Sequence, residues 1–140
     1  MKQRPSDRGQ ALAEFAISIT VFLVMIMGIF DLGKGIYMYN GVAEAAREIA
    51  RVTSVHPGSP LGNDAATTAV IATQKRLIPN LGNPTFTCVD IDGTTIHSST
   101  TCVAGDQVRV QIIAPYSPVT PLMGLFGTWN MQSTSSVAIQ

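Results

Sequence analysis

Apolar residues are unevenly distributed along the 140-residue chain. Residues 11–30 form the densest run: sixteen of the twenty are apolar, and the exceptions are Glu14, Ser18, Thr20 and Gly28. At 1.5 Å per residue a helix of that length spans about 30 Å, the hydrocarbon thickness of a bilayer. A domain this small has no interior wide enough to hide such a helix on every side. The run therefore predicts a transmembrane or helix-bundle segment. A secretory signal peptide is the alternative, but its apolar region is ordinarily about 7–15 residues long. No small-residue cleavage site follows the run either, since the chain continues Gly28-Ile29-Phe30-Asp31-Leu32-Gly33-Lys34.

Helical spacing continues beyond the apolar run. Val42, Ala45, Ala46, Ile49 and Val52 recur on one face. Glu44, Arg47, Glu48 and Arg51 share the opposite face, in favourable i, i+3 pairs and solvated. Gly28, Gly33, Gly35 and Gly41 weaken a water-exposed helix and are candidate kinks or close-packing points. One helix over 10–53 is roughly 65 Å long, more than a 140-residue globule can cover, so half of it protrudes. Pro57-Gly58-Ser59-Pro60 ends it. Asn63 or Asp64 is positioned to cap a shorter second helix that runs to about Ile78 and stops at Pro79. Ala66, Val70 and Leu77 are its expected buried stripe.

The last third changes to a period of two. Residues 85–91 mix β-branched and aromatic side chains, Asp92-Gly93 is a turn pair, and 94–98 returns as a hairpin. Val108, Val110 and Ile112 alternate with Arg109 and Gln111, as in a half-buried strand. Residues 128–139 alternate more weakly, with Trp129, Met131, Val137 and Ile139 expected inward. Between these strands, 115–127 reads as a long crossing loop whose apolar tip packs down onto the core. The expected class is α+β: a long N-terminal transmembrane helix, a short second helix and a small antiparallel β-sheet. Its expected parts are a short cytoplasmic basic leader at 1–9, the long helix at 10–53 with its transmembrane part at about 11–30, and an extracytoplasmic α+β domain at 54–140.

Composition narrows the function classes. Nine Lys+Arg balance nine Asp+Glu, which excludes a basic nucleic-acid binder held by phosphate contacts. The 46% hydrophobic content excludes a disordered chain. Lys2, Arg4 and Arg8 precede the apolar run, so the positive-inside rule places the N-terminus in the cytoplasm. Cys88 and Cys102 then lie in an oxidising compartment and are expected to pair. That bond closes a loop of about fifteen residues, worth about 3 kcal/mol in the chain-entropy account.

No hydrolase, metalloprotease or phosphate-loop motif is present, and no cofactor is indicated. Asp90-Ile91-Asp92-Gly93 resembles a fragment of a calcium loop, but Ser99 stands where the closing Glu belongs, so a β-turn is the better reading. His56 and His97 read as solvated loop residues, and no metal site is expected. The odd residue is Glu14. A carboxylate near the centre of a membrane helix costs about 2.5–3.5 kcal/mol, less near an end. It reads equally as a functional charge or as an interfacial residue favoured by the helix N-terminus.

Arg8-Gly9-Gln10-Ala11-Leu12-Ala13-Glu14-Phe15-Ala16, then Gly28-Ile29-Phe30-Asp31-Leu32-Gly33-Lys34, then Asn40 with Ala45-Ala46-Arg47-Glu48, together resemble TadE-like proteins of the tight-adherence, Flp-type pilus system. Tyr116-Ser117-Pro118-Val119-Thr120-Pro121-Leu122 is similar to the end of such chains. The middle, about 54–105, carries no matching motif. The resemblance implies a minor pilin or pseudopilin anchored in the bacterial inner membrane, single-pass with its C-terminal domain exported, and incorporated in or assembling a surface pilus. It implies as partners other pilins, inner-membrane pilus assembly proteins and a prepilin peptidase, besides membrane lipid; a homo-oligomer is a further candidate. The peptidase cut maps between Gly9 and Gln10, which makes Glu14 the fifth residue of the product. A carboxylate there can pair with the new amine on Gln10 of a neighbouring subunit and fix register. The rival class is a membrane-anchored surface domain that binds a ligand, with Leu122, Met123, Leu125 and Phe126 as the contact tip. A large apolar patch of that kind marks a partner or lipid contact when it is exposed.

Overall fold

The computed structural model describes residues 5–94, 96–98, 102–120, 124–125 and 127–139. One helix dominates: α1, Pro5–Val55, 51 residues and about 77 Å long. The expected limits at 10 and 53 fall inside it. Its first half is bare, with Leu12, Phe15, Phe22, Ile29 and Phe30 all exposed. Over 9–55 it is long and apolar enough to cross a membrane. Its second half is the spine of the core. Met38, Val42, Ala45, Ala46, Ile49, Ala50 and Thr53 are buried at the three- and four-residue spacing of one helical face. Glu48 and Arg51 lie on the other face and pair at 2.7 Å; the exposed Glu44–Arg47 pair is looser at 3.8 Å. Of Gly28, Gly33, Gly35 and Gly41, Gly41 has the nearest neighbour, an added Cβ meeting the Ile78 side chain at an ordinary contact distance of 3.4 Å.

Helix α2, Ala65–Leu77, begins where expected: the Asp64 carboxylate caps it by accepting the Ala66 N–H at 2.7 Å. Its buried stripe is rotated from the expected one. Thr67 is fully buried, Val70 and Ile71 pack against the core, and Ile78 closes it, whereas Leu77 is 63% exposed. The rotation has a polar cause. The Thr67 hydroxyl donates to the His56 carbonyl at 3.2 Å and accepts from the Thr53 hydroxyl at 3.5 Å, so hydrogen bonds dock this helix start on α1.

Four antiparallel strands follow: β1 Thr85–Val89, β2 Ile96–Ser98, β3 Gln107–Tyr116 and β4 Trp129–Ala138, in the order β2-β1-β3-β4. The Asp92-Gly93 turn forms between β1 and β2, with the Gly93 N–H on the Asp90 carbonyl at 2.7 Å. Cys88 and Cys102 are joined, Cα–Cα 5.4 Å, tying β1 to the segment ahead of β3. β3 buries Val108, Val110, Ile112, Ala114 and Tyr116 in strict alternation. It runs farther than expected, through Pro115 to Tyr116. The Ile113 carbonyl accepts the Gly82 N–H at 2.9 Å, so Pro115, two residues on, points the same way, beyond the end of β1. Its missing N–H costs no ladder bond there. α1 lies across β4 and β3. Met131, Ser133, Ser135, Val137 and Ile139 are half-buried on that strand, while Trp129, expected inward, is 42% exposed at its start.

Ile49 and Gly62 test this packing. Ile49→Ala should cost about 2–5 kcal/mol through the cavity it leaves. Gly62→Ala should also destabilise, because φ is +83° and the new Cβ would lie 2.5 Å from the Phe86 ring. Glu44→Ala should change stability by less than about 0.5 kcal/mol. Urea unfolding of the detergent-solubilised chain checks all three.

Candidate functional site

Asp31 stands one residue beyond the apolar run and is almost completely buried. A carboxylate is removed from water only where donors replace its hydration. Three donors come from one corner of chain about ninety residues later. The Val119 N–H reaches Oδ1 at 2.9 Å, the Thr120 N–H reaches Oδ2 at 3.2 Å, and the Thr120 hydroxyl also donates to Oδ2. Tyr116, at the end of β3, adds a fourth bond, from its hydroxyl to the Asp31 carbonyl at 2.8 Å. Its ring lies against Gly35, and the Lys34 Nζ sits 5.6 Å from the ring centroid.

This arrangement fixes where the sheet sits on the helix. β3 and α1 run side by side in opposite directions, with Tyr116 beside Asp31. The β3 strand is about 30 Å long, so its Gln107 end, with the Cys88–Cys102 bond near it, lies at the far end of the folded part. The Thr120 hydroxyl bond and the two backbone N–H bonds hold the Asp31 carboxyl below the usual carboxylate range, against the opposing effect of burial; Lys34 adds to the lowering. Burial, and then the Asp31 charge, push the Tyr116 hydroxyl up. Among the described residues no cluster of His, Cys, Asp and Glu could hold a metal ion.

The residues singled out in the sequence do not converge. Gly9, Gln10 and Glu14 are exposed on the first turns of α1. Glu14 is 17 residues, about 26 Å along the helix, from Asp31. The cysteines are at the opposite end of the folded part. Of the expected apolar tip, Leu125 is 83% exposed rather than packed down, while Leu122, Met123 and Phe126 lie outside the described residues. Beside Leu125, the Gly124 N–H bonds the Thr120 carbonyl and the Gly127 N–H bonds the Gly124 carbonyl. In the sequence Asp31 is one charge in the flank that follows the apolar run. The signal that points to it is a pairing of motifs: 28–34 and the 116–120 part of the second motif are far apart in sequence, and they meet here.

A comparison with protein families matches residues 9–51 to the TadE-like protein family. The N-terminal third of this chain is TadE-like. The matched segment covers the apolar run, Asp31 and the core face of α1 as far as Arg51. No curated protein and no solved structure matches the chain. The matched segment includes the part of α1 that is long and apolar enough to cross a membrane.

The Asp31 contacts have a direct consequence for stability. Tyr116→Phe should cost about 1 kcal/mol, the ordinary worth of one hydrogen bond. Because the folded Asp31 carboxyl titrates below its unfolded value near 3.9, the unfolded chain binds its proton first on acidification. The stabilisation is complete above that value and is lost as pH falls through the depressed one. Asp31→Asn should remove this part of the acid limb, leaving the part due to Glu48, whose carboxyl Arg51 also holds low. Thermal melts of the two chains across the acid range check the sign.

Proposed function

We propose that this chain is a minor pilin or pseudopilin of a tight-adherence pilus system. In this reading residues 11–30 span the inner membrane with the N-terminus inside, and residues from about 32 onward are exported. The observation that carries the reading is the two-part character of α1. Residues 9–51 are TadE-like, and the helix is bare over its apolar half and buried over its second half. A soluble protein would leave that apolar half against water. Lipid covers it while the subunit is stored in the membrane, and other pilin helices cover it after assembly.

The proposed processing site is the Gly9–Gln10 bond. A cut there makes Gln10 the new terminus and puts its ammonium four residues from Glu14. A neighbouring subunit's Glu14 then offsets the charge and sets the stagger between helices. Residues 9–14 are exposed on the helix, as a segment read by a peptidase and then by a neighbour must be.

Intact-mass measurement of the membrane-extracted protein from pilus-forming cells tests the processed form. A chain that begins at Gln10 is expected, and Gly9→Leu should abolish the shortening. Glu14→Ala should leave the cut unchanged and strongly reduce piliation. A chain that retains Met1 through Gly9 contradicts the processed form.

A further inference from the structure

The Val119–Thr120 corner does more than satisfy Asp31. It forms one wall of a groove of about 420 Å³, whose other lining residues are Met27, Phe30, Asp31 and Lys34. Met27 is four residues, about 6 Å, below Asp31 and inside the apolar run. The corner therefore reaches past the end of that run toward its interior. At this depth Val119 is 69% exposed and shares the groove with the exposed Phe30, while the Thr120 hydroxyl is turned to Asp31. Lys34 supplies a cation on the rim. A helical side chain leans toward the helix N-terminus, which brings the Lys34 ammonium back over the groove. The Asp31 carboxylate takes three donors from the corner, and Lys34 makes no ion pair with it within 4.0 Å, acting on it only at longer range.

We propose that this groove seats a phospholipid of the leaflet at the C-terminal end of the span, so that the folded domain grips the membrane with a second, non-helical contact. The upper acyl chain lies against Met27, Phe30 and Val119, and the phosphate pairs with Lys34. The argument is continuity and charge. The groove's apolar wall is the same helix surface that lipid covers below it, and a lysine at this level extends its ammonium to the phosphate layer while its stem stays apolar. The proposal rests on the reading that residues 11–30 span the membrane.

Trp129 is the chain's one tryptophan, so Trp129→Phe gives a silent background for fluorescence. In it, the full chain carries Phe22→Trp, Val119→Trp or Val103→Trp, in vesicles of phosphatidylcholine and phosphatidylglycerol brominated high on the acyl chain. Emission should fall at least twofold at positions 22 and 119 relative to unbrominated lipid, and stay unchanged at 103, beyond the far end of β3. Added inorganic phosphate should not alter the quenching, and Lys34→Glu should reduce it at 119 alone. Quenching at 22 without quenching at 119 overturns the proposal and leaves the span intact. No quenching at either overturns the span itself. Val119→Cys carrying a nitroxide repeats the test with a different side chain: greater accessibility to oxygen than to a nickel chelate supports the lipid seat, and the reverse overturns it.

Discussion

A buried carboxylate needs donors, and the fold is arranged so that Asp31 receives them. The helix alone cannot supply them. Its N–H groups point along the axis into its own ladder, so a side chain on its surface must look elsewhere. Val119 and Thr120 provide two backbone N–H groups and a hydroxyl. To reach Asp31, the chain must leave β3 at Tyr116 and turn back toward the helix before it begins β4. The end of the sheet, the start of the crossing segment and the level of the domain on α1 all follow from that one attachment.

The division of α1 follows as well. Below Asp31 the helix carries large apolar side chains in every direction, and nearly all of them are exposed among the described residues. Above it, one face narrows to valine, isoleucine and alanine and lies across β3 and β4. Small residues on both surfaces, Ala45, Ala46 and Ala50 on the helix and Ser133 and Ser135 on β4, suit close approach. The rest of that half carries the Glu44–Arg47 and Glu48–Arg51 pairs, which contribute little energy where exposed and keep the face wet. One continuous helix thus passes from a bare apolar segment to a core element without a break, and Asp31 marks the change.

Much of this was legible in the residues because it depends on local periodicity. The apolar run, the 42–49 core stripe, the Asp64 cap, the Asp92-Gly93 turn and the alternation at 108–112 each follow from neighbours a few positions apart. The departures all depend on distant partners. Leu77 reads as more apolar than Thr67, yet Thr67 is buried because His56 and Thr53 give its hydroxyl partners. Pro115 reads as a strand breaker, yet β3 passes through it because β1 has already ended. Trp129 reads as an inward residue by alternation, but it falls at the strand's first position, where the core runs out. The site was the least legible part. Asp31 looks like an ordinary flanking charge until 116–120 folds back onto it, and nothing within either segment states that they touch.

The central claim is that the Asp31 carboxylate holds this corner on the helix. Amide hydrogen exchange of the full chain in lipid, compared with Asp31→Asn, tests it most directly. The account predicts that the Val119 and Thr120 N–H groups are protected in the natural chain and exchange like open loop amides in the variant, while Ile49 and Val110 keep their protection. Equal protection at Val119 and Thr120 in both chains would contradict it.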